Sequence, residues 1–170
     1  QKVNITNLKA DMVPTSYSLS IKQLRISDIS AESNGRKVEV QTQQTVEGTD
    51  ISAVITNHAI GKGRNNYINL VYKTKDIAIK TGDIWNIFIP KIQIPETTTM
   101  YNVKISVPDS FGPLSYFSPT PALEKKENGK TLYFLTKETF KTSGINAALG
   151  YFQTINYKLK YQLENPSYFF

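Results

Sequence analysis

Tyr101-Asn102-Val103-Lys104-Ile105-Ser106-Val107 sets an apolar side chain at every odd position and a polar one at every even position. Successive side chains of a β-strand point to opposite faces, so the stretch reads as a strand with one buried and one solvated side. The same period of two recurs in Tyr17-Leu19-Ile21 and in Ile68-Leu70-Tyr72, and it runs longest in Ile155-Tyr157-Leu159-Tyr161-Leu163. Tyr157 and Tyr161 share the parity of Leu159 and Leu163 there and read as core. Val3 with Ile5, Ile26 with Ile29, Val38 with Val40, Ile51 with Ile55, Trp85 with Ile87 and Ile89, and Leu132 with Phe134 fill out the set. That makes about ten short strands at the spacing of a sandwich or barrel. One-sided apolarity is what an antiparallel sheet with a solvated face requires.

Turn chemistry falls between these runs. Asn34-Gly35 and Asn128-Gly129 are hairpin signals, because both residue types tolerate positive φ. Thr81-Gly82-Asp83 precedes the Trp85 strand, and Gly61-Lys62-Gly63 reads as another hairpin turn. Pro90, Pro95 and Pro108 flank strands, while Pro113, Pro119 and Pro121 mark an irregular stretch. Helix is confined to single turns, at 137–142 between Thr136 and Gly144 and at Asn146-Ala147-Ala148-Leu149. Residues 75–80 read as one more turn or as a strand end. The expectation is an all-β chain: an antiparallel β-sandwich over residues 1–166, as one unit or two packed sub-sheets. Residues 167–170 then begin a linker to a downstream domain that lies beyond this sequence.

The composition removes a good deal of chemistry. The chain has 170 residues, no Cys and a single His, His58. A Cys–His pair cannot be assembled, nor can a zinc site built on Cys and several His. His58 follows an apolar alternation and precedes a Gly-rich turn, with no Asp or Glu near it, so it reads as a strand-end or turn residue. Asp28, Asp50, Asp76, Asp83 and Asp109 are singletons and make no calcium loop. Gly61-Lys62-Gly63 lacks the spacing of a phosphate loop. No cofactor and no metal are expected, and nothing in the sequence marks a catalytic carboxylate pair. The net charge of +6 is dispersed, with its densest points at Lys62–Arg64 and Lys73–Lys75, so no nucleic-acid partner is expected. No apolar run approaches the roughly 20 residues of a membrane span, so direct membrane insertion is not expected either. Two places remain as a binding surface: Tyr116-Phe117, the exposed aromatic pair of the Pro-rich stretch, whose plainer reading is a loop plugging the open end of a sandwich, and the basic turn of Lys62 and Arg64.

Several ordered motifs carry a family resemblance. They are Gly61-Lys62-Gly63, Tyr67-Ile68-Asn69-Leu70-Val71-Tyr72, Gly82-Asp83-Ile84-Trp85-Asn86-Ile87-Phe88-Ile89-Pro90 and Val107-Pro108-Asp109-Ser110-Phe111-Gly112-Pro113. Gly144-Ile145-Asn146-Ala147-Ala148-Leu149-Gly150 and Tyr157-Lys158-Leu159-Lys160-Tyr161 close the series. Together these resemble the N-terminal extracytoplasmic β-domain of bacterial membrane-anchored transglutaminase-like proteins. The resemblance implies that catalysis by a Cys–His–Asp set belongs to a downstream domain, that this chain is a non-catalytic companion at the cell surface, and that its first partner is that domain. Glu164-Asn165-Pro166 would be the exit toward it. A cell-surface protein or glycan is the further partner considered. A more distant similarity is to the β-rich N-terminal domains of zinc aminopeptidases, whose His-Glu-x-x-His motif this chain lacks.

Overall fold

The computed structural model describes residues 1–91, 98, 100–138 and 144–151. Fourteen strands and a single 3-10 turn, Asp109–Phe111, carry their regular structure. In chain order the first seven strands are β1 (Lys2–Thr6), β2 (Ser16–Lys22), β3 (Ser27–Ser33), β4 (Arg36–Val38), β5 (Val40–Gln44), β6 (Gly48–Val54) and β7 (Asn65–Lys73). They are followed by β8 (Ala78–Thr81), β9 (Ile84–Ile89), β10 (Asn102–Pro108), β11 (Leu114–Ser118), β12 (Leu123–Glu127), β13 (Lys130–Thr136) and β14 (Ile145–Gly150). All pairings are antiparallel. The all-β, sandwich-like architecture expected from the period-two pattern is what the chain adopts.

Four sheets make two layered pairs. β1-β7-β3-β4 packs against β2-β6-β5, and β11-β14-β9-β8 packs against β10-β13-β12. In the first pair, Leu19 and Ile21 of β2 with Ile51 and Ala53 of β6 meet Ala31 of β3 and Leu70 of β7. Leu19 stands opposite Ile51 in the ladder, so the alternation of each strand puts both on the same inner face. In the second pair, Ile87, Val107, Tyr133, Ala147 and Leu149 form the core, and Leu135 with Ile145 extends it. Ile77 packs on both cores, in the connection between β7 and β8.

The strand count exceeds the sequence expectation for identifiable reasons. The stretch around Val38 and Val40 is two strands rather than one: β4 and β5 belong to facing sheets, and the chain crosses between them at Glu39. Asn146-Ala147-Ala148-Leu149 is not a helical turn but the heart of β14, where pairing with β9 overrides the helix propensity of Ala and Leu. Residues 75–80 end in β8, a short edge strand. The Pro-rich stretch holds β11 between Pro113 and Pro119, and Leu123–Glu127, without any alternation, is β12. The expected turn at 137–142, the alternation of 155–163 and the linker at 167–170 fall wholly or largely outside the described residues.

Asn34 and Gly35 both hold positive φ, 47° and 80°, and close the β3–β4 hairpin as expected. Asn128 and Gly129 do the same for β12–β13, at 51° and 72°. Gly61-Lys62-Gly63 differs from expectation. It is a turn, but β6 and β7 lie in facing sheets, so it ends a crossover and not a hairpin.

Candidate functional site

Among the described residues, the second sandwich is open along one side. β11 is an edge of one sheet and β12 an edge of the other, and a cleft of about 600 Å³ lies between them. Its floor is Val107, Tyr133 and Leu149. Pro113 and Leu114 form one wall, Glu124 and Lys126 the other, and Tyr151 lines it just past the end of β14.

Register explains which side chains face in. Glu124 pairs with Tyr133 and Lys126 with Thr131, so β12 turns its even positions inward. On β11 a bulge intervenes: Leu114 stands opposite Leu149 but Tyr116 opposite Ala148, leaving Ser115 as the extra residue. Leu114 therefore lines the cleft while Phe117 reaches the interior. Phe117 packs on Tyr133 with ring centroids 4.8 Å apart, while Tyr116 stays 55% exposed. The aromatic pair expected as one exposed surface is split by the bulge, with one ring in the core and one outside.

The end of the cleft is built by close backbone approach. Phe111 stacks on Trp85 at 4.3 Å, and Gly112 N donates to Asp109 O at 3.1 Å. A Cβ on Gly112 would stand 2.9 Å from Gly150 Cα, and Gly150 N donates to Pro113 O at 2.9 Å. Glycine at both positions lets the 3-10 turn lie directly on the end of β14.

Two carboxylates that the sequence did not mark line this cleft, Asp109 and Glu124. Thr131 Oγ1 donates to Asp109 Oδ1 at 3.0 Å, and Asp109 N donates to Gly129 O at 3.0 Å, so Asp109 is tied into the β12–β13 turn. Burial first, and then the charges of Glu124 and Asp109, push the Tyr133 phenol above the usual tyrosine range. The cleft thus offers a neutral hydroxyl, two anions and the Lys126 ammonium over an apolar floor. Such a surface can hold polar backbone or hydroxyl groups while burying an apolar side chain.

Tyr17, Tyr72 and Tyr101 shift the same way, each mainly through burial. A group whose folded value is raised binds its proton more tightly in the native state, so its contribution to stability is complete below the unfolded value and lost as pH rises through the folded one. With four phenols acting together, the urea midpoint is expected to hold up to about pH 10 and to fall steadily above it. Tyrosinate absorbance should rise in step with unfolding. A midpoint unchanged at pH 11 would contradict these burial assignments.

Lys62 and Arg64 lie elsewhere, exposed on the crossover turn of the first sandwich. That turn is fixed by two buried amides. Asn7 Nδ2 donates to Ala59 O at 2.7 Å and to Gly61 O at 3.3 Å, and Asn66 Nδ2 donates to Asn7 Oδ1 at 3.2 Å. Asn7 N donates to Arg64 O, and Gly63 N to Asn7 O. The two basic residues and the aromatic pair therefore belong to different sandwiches and form no joint surface. His58 sits half-buried on the same crossover, its Nδ1 enclosed and without a hydrogen-bond partner. Among the described residues no three His, Asp or Glu side chains gather as metal ligands, and no helix is long and apolar enough to cross a membrane.

No family model and no curated protein matches the chain. Among solved structures it is similar to a variant M1 zinc metallopeptidase from Deinococcus radiodurans, bound to a Tyr-Ser-Ala substrate, at 16% identity and a TM-score of 0.46. A second structure of that metallopeptidase variant gives 16% identity and a TM-score of 0.44. In both cases the likeness covers 88% of this chain and 37% of the metallopeptidase chain. At those scores the likeness carries no argument about activity.

Proposed function

We propose that this chain is a non-catalytic β-sandwich module that positions or shields a neighbouring transglutaminase-like domain at the bacterial cell surface. The parent protein is membrane-anchored and the module extracytoplasmic. The observation that supports this reading is the open mouth between β11 and β12. Two strand edges without a second neighbour among the described residues flank an apolar-floored cleft, which suits side-chain contact with a neighbouring domain. Two of the large apolar side chains that line it, Leu114 and Tyr151, stand exposed. Clustered exposure of that kind marks an interaction surface more often than single surface residues do.

A second reading is a binding module for a glycan, peptide or anionic wall polymer. The exposed ring of Tyr116 on the outer side of β11 favours it. The gene that encodes this chain decides the family part of the proposal. A reading frame running on from Phe170 into a domain with Cys, His and Asp in catalytic order supports it, and an unrelated downstream domain removes it.

A further inference from the structure

Among the described residues, β5 is the least protected strand edge. It lies at one side of the β2-β6-β5 sheet with β6 as its one neighbour among the described residues. Its ladder fixes which backbone groups are free. Val54 N donates to Glu39 O, and Thr45 and Gly48 exchange both bonds, so residues 39, 41, 43 and 45 address β6. In an antiparallel pair the alternate residues turn their N–H and C=O the other way. Val40, Thr42 and Gln44 therefore present donors and acceptors along the open side.

Other edges carry features that block pairing. β12 is Leu123-Glu124-Lys125-Lys126-Glu127, β11 is bulged between two prolines, and β10 carries Lys104 and ends at Pro108. β4 and β8 are short and hold Arg36, Lys37 and Lys80, and β1 opens with Lys2. From Val40 to Val46 there is no charge, no proline and no glycine, and residues 41–46 are all exposed. β2, the opposite edge of the same sheet, is also uncharged from Ser16 to Ile21, but its Tyr17 lies within electrostatic reach of Tyr101 from the second sandwich.

We propose that β5 pairs with β5 of a second copy of this chain, antiparallel and centred on Thr42, joining two three-stranded sheets into one. In that register Thr42 faces Thr42 of the partner subunit, and Val40 faces Gln44 of the partner subunit. Each facing pair exchanges both backbone hydrogen bonds, so every outward group of the strand is satisfied. Gln41 meets Gln43 of the partner subunit amide to amide, and Glu39 meets an uncharged threonine, so no like charges oppose each other. This self-complementarity is what selects a second copy over a foreign strand, and its two-fold symmetry closes the assembly at a dimer. The outer groove of about 740 Å³, lined by Ser18, Ser20, Asp50 and Ser52 with Gln41 and Gln43, would then run on across the two-fold.

Sedimentation of the chain over a range of concentrations should show a monomer–dimer equilibrium. Thr42→Lys sets two ammonium groups face to face and Thr42→Pro removes an outward N–H while leaving the β6 ladder whole. Both are expected to be folded monomers, with circular dichroism matching the parent chain. Because the chain has no cysteine, a Thr42→Cys variant can link only to another copy. A hydrogen-bonded antiparallel pair sets its Cα atoms about 5.5 Å apart, within disulfide range. Oxidation should therefore give covalent dimers, while Ser18→Cys on β2 should not. A chain that stays monomeric at millimolar concentration overturns the proposal. So does a dimer indifferent to Thr42→Lys. An open polymer in which the Thr42→Cys variant forms no cross-link also overturns it, and would indicate β2 pairing head to tail with β5.

Discussion

Truncating Tyr133 to alanine is expected to destabilise the chain by ~3–5 kcal/mol, the range for removing a buried aromatic ring. Tyr133 is 2% exposed, forms the floor of the cleft, packs on Phe117 and stands between Glu124 and Ile105 in its sheet. Among the described residues no neighbouring element is placed to refill that volume, because the sandwich is open there on the β11–β12 side. Tyr133→Phe keeps the ring and loses the hydroxyl, so it should cost about 1 kcal/mol or less while removing the donor from the cleft. Urea unfolding followed by the fluorescence of Trp85, the single tryptophan, reads both variants, since Trp85 stacks on Phe111 within the same sandwich. A Tyr133→Ala variant as stable as the parent would mean that the second core does not close over this residue.

Gly150→Ala should be of comparable severity for a different reason. Gly150 has φ near +137°, and an added Cβ would stand 2.2 Å from Asp83 O and 3.0 Å from Ile84 Cα. Both obstacles are backbone of a paired strand and its turn, so they cannot rotate aside as a side chain would. Positive-φ strain alone costs of order 1–3 kcal/mol. Overlap with the β8–β9 hairpin adds to it, and the total is expected at about 3 kcal/mol or more. Gly35→Ala is the control. Its φ is also positive, but a Cβ there meets nothing within 4 Å, so it should cost about 1 kcal/mol. Equal effects at the two positions would show that contact with Asp83 is not what excludes a side chain at Gly150.

How much of this was legible beforehand depends on where the period-two signal is strong. Tyr101-Asn102-Val103-Lys104-Ile105-Ser106-Val107 announces β10 because one face is buried and the other wet. Asn34-Gly35 announces its hairpin because positive φ needs those residue types. β12 was invisible because Leu123-Glu124-Lys125-Lys126-Glu127 is an edge strand exposed along its whole length, and exposure erases alternation. Asn146-Ala147-Ala148-Leu149 reads as a turn because Ala147 and Ala148 favour helix locally, and only pairing with β9 and β11 makes it β14.

The site was less legible than the fold. Tyr116 and Phe117 read as one exposed aromatic pair, but they lie on the edge strand β11, where a one-residue bulge, which no local pattern betrays, sends their rings to opposite faces. Asp109 and Glu124 are 15 residues apart in sequence and meet at the cleft only through the β12–β13 hairpin and the β10–β13 ladder. Nothing in their immediate neighbours signals that convergence.

The mouth between β11 and β12 is where a neighbouring domain is proposed to rest. Hydrogen exchange of the backbone amides, measured on this chain alone and on the longer protein that contains it, tests that most directly. Amides of Leu114–Ser118 and Leu123–Glu127 that point away from β14 and β13 are predicted to exchange about tenfold more slowly or better in the longer protein, with the buried ladder of β2 and β6 unchanged. Identical exchange at both edges in the two proteins would contradict the proposal.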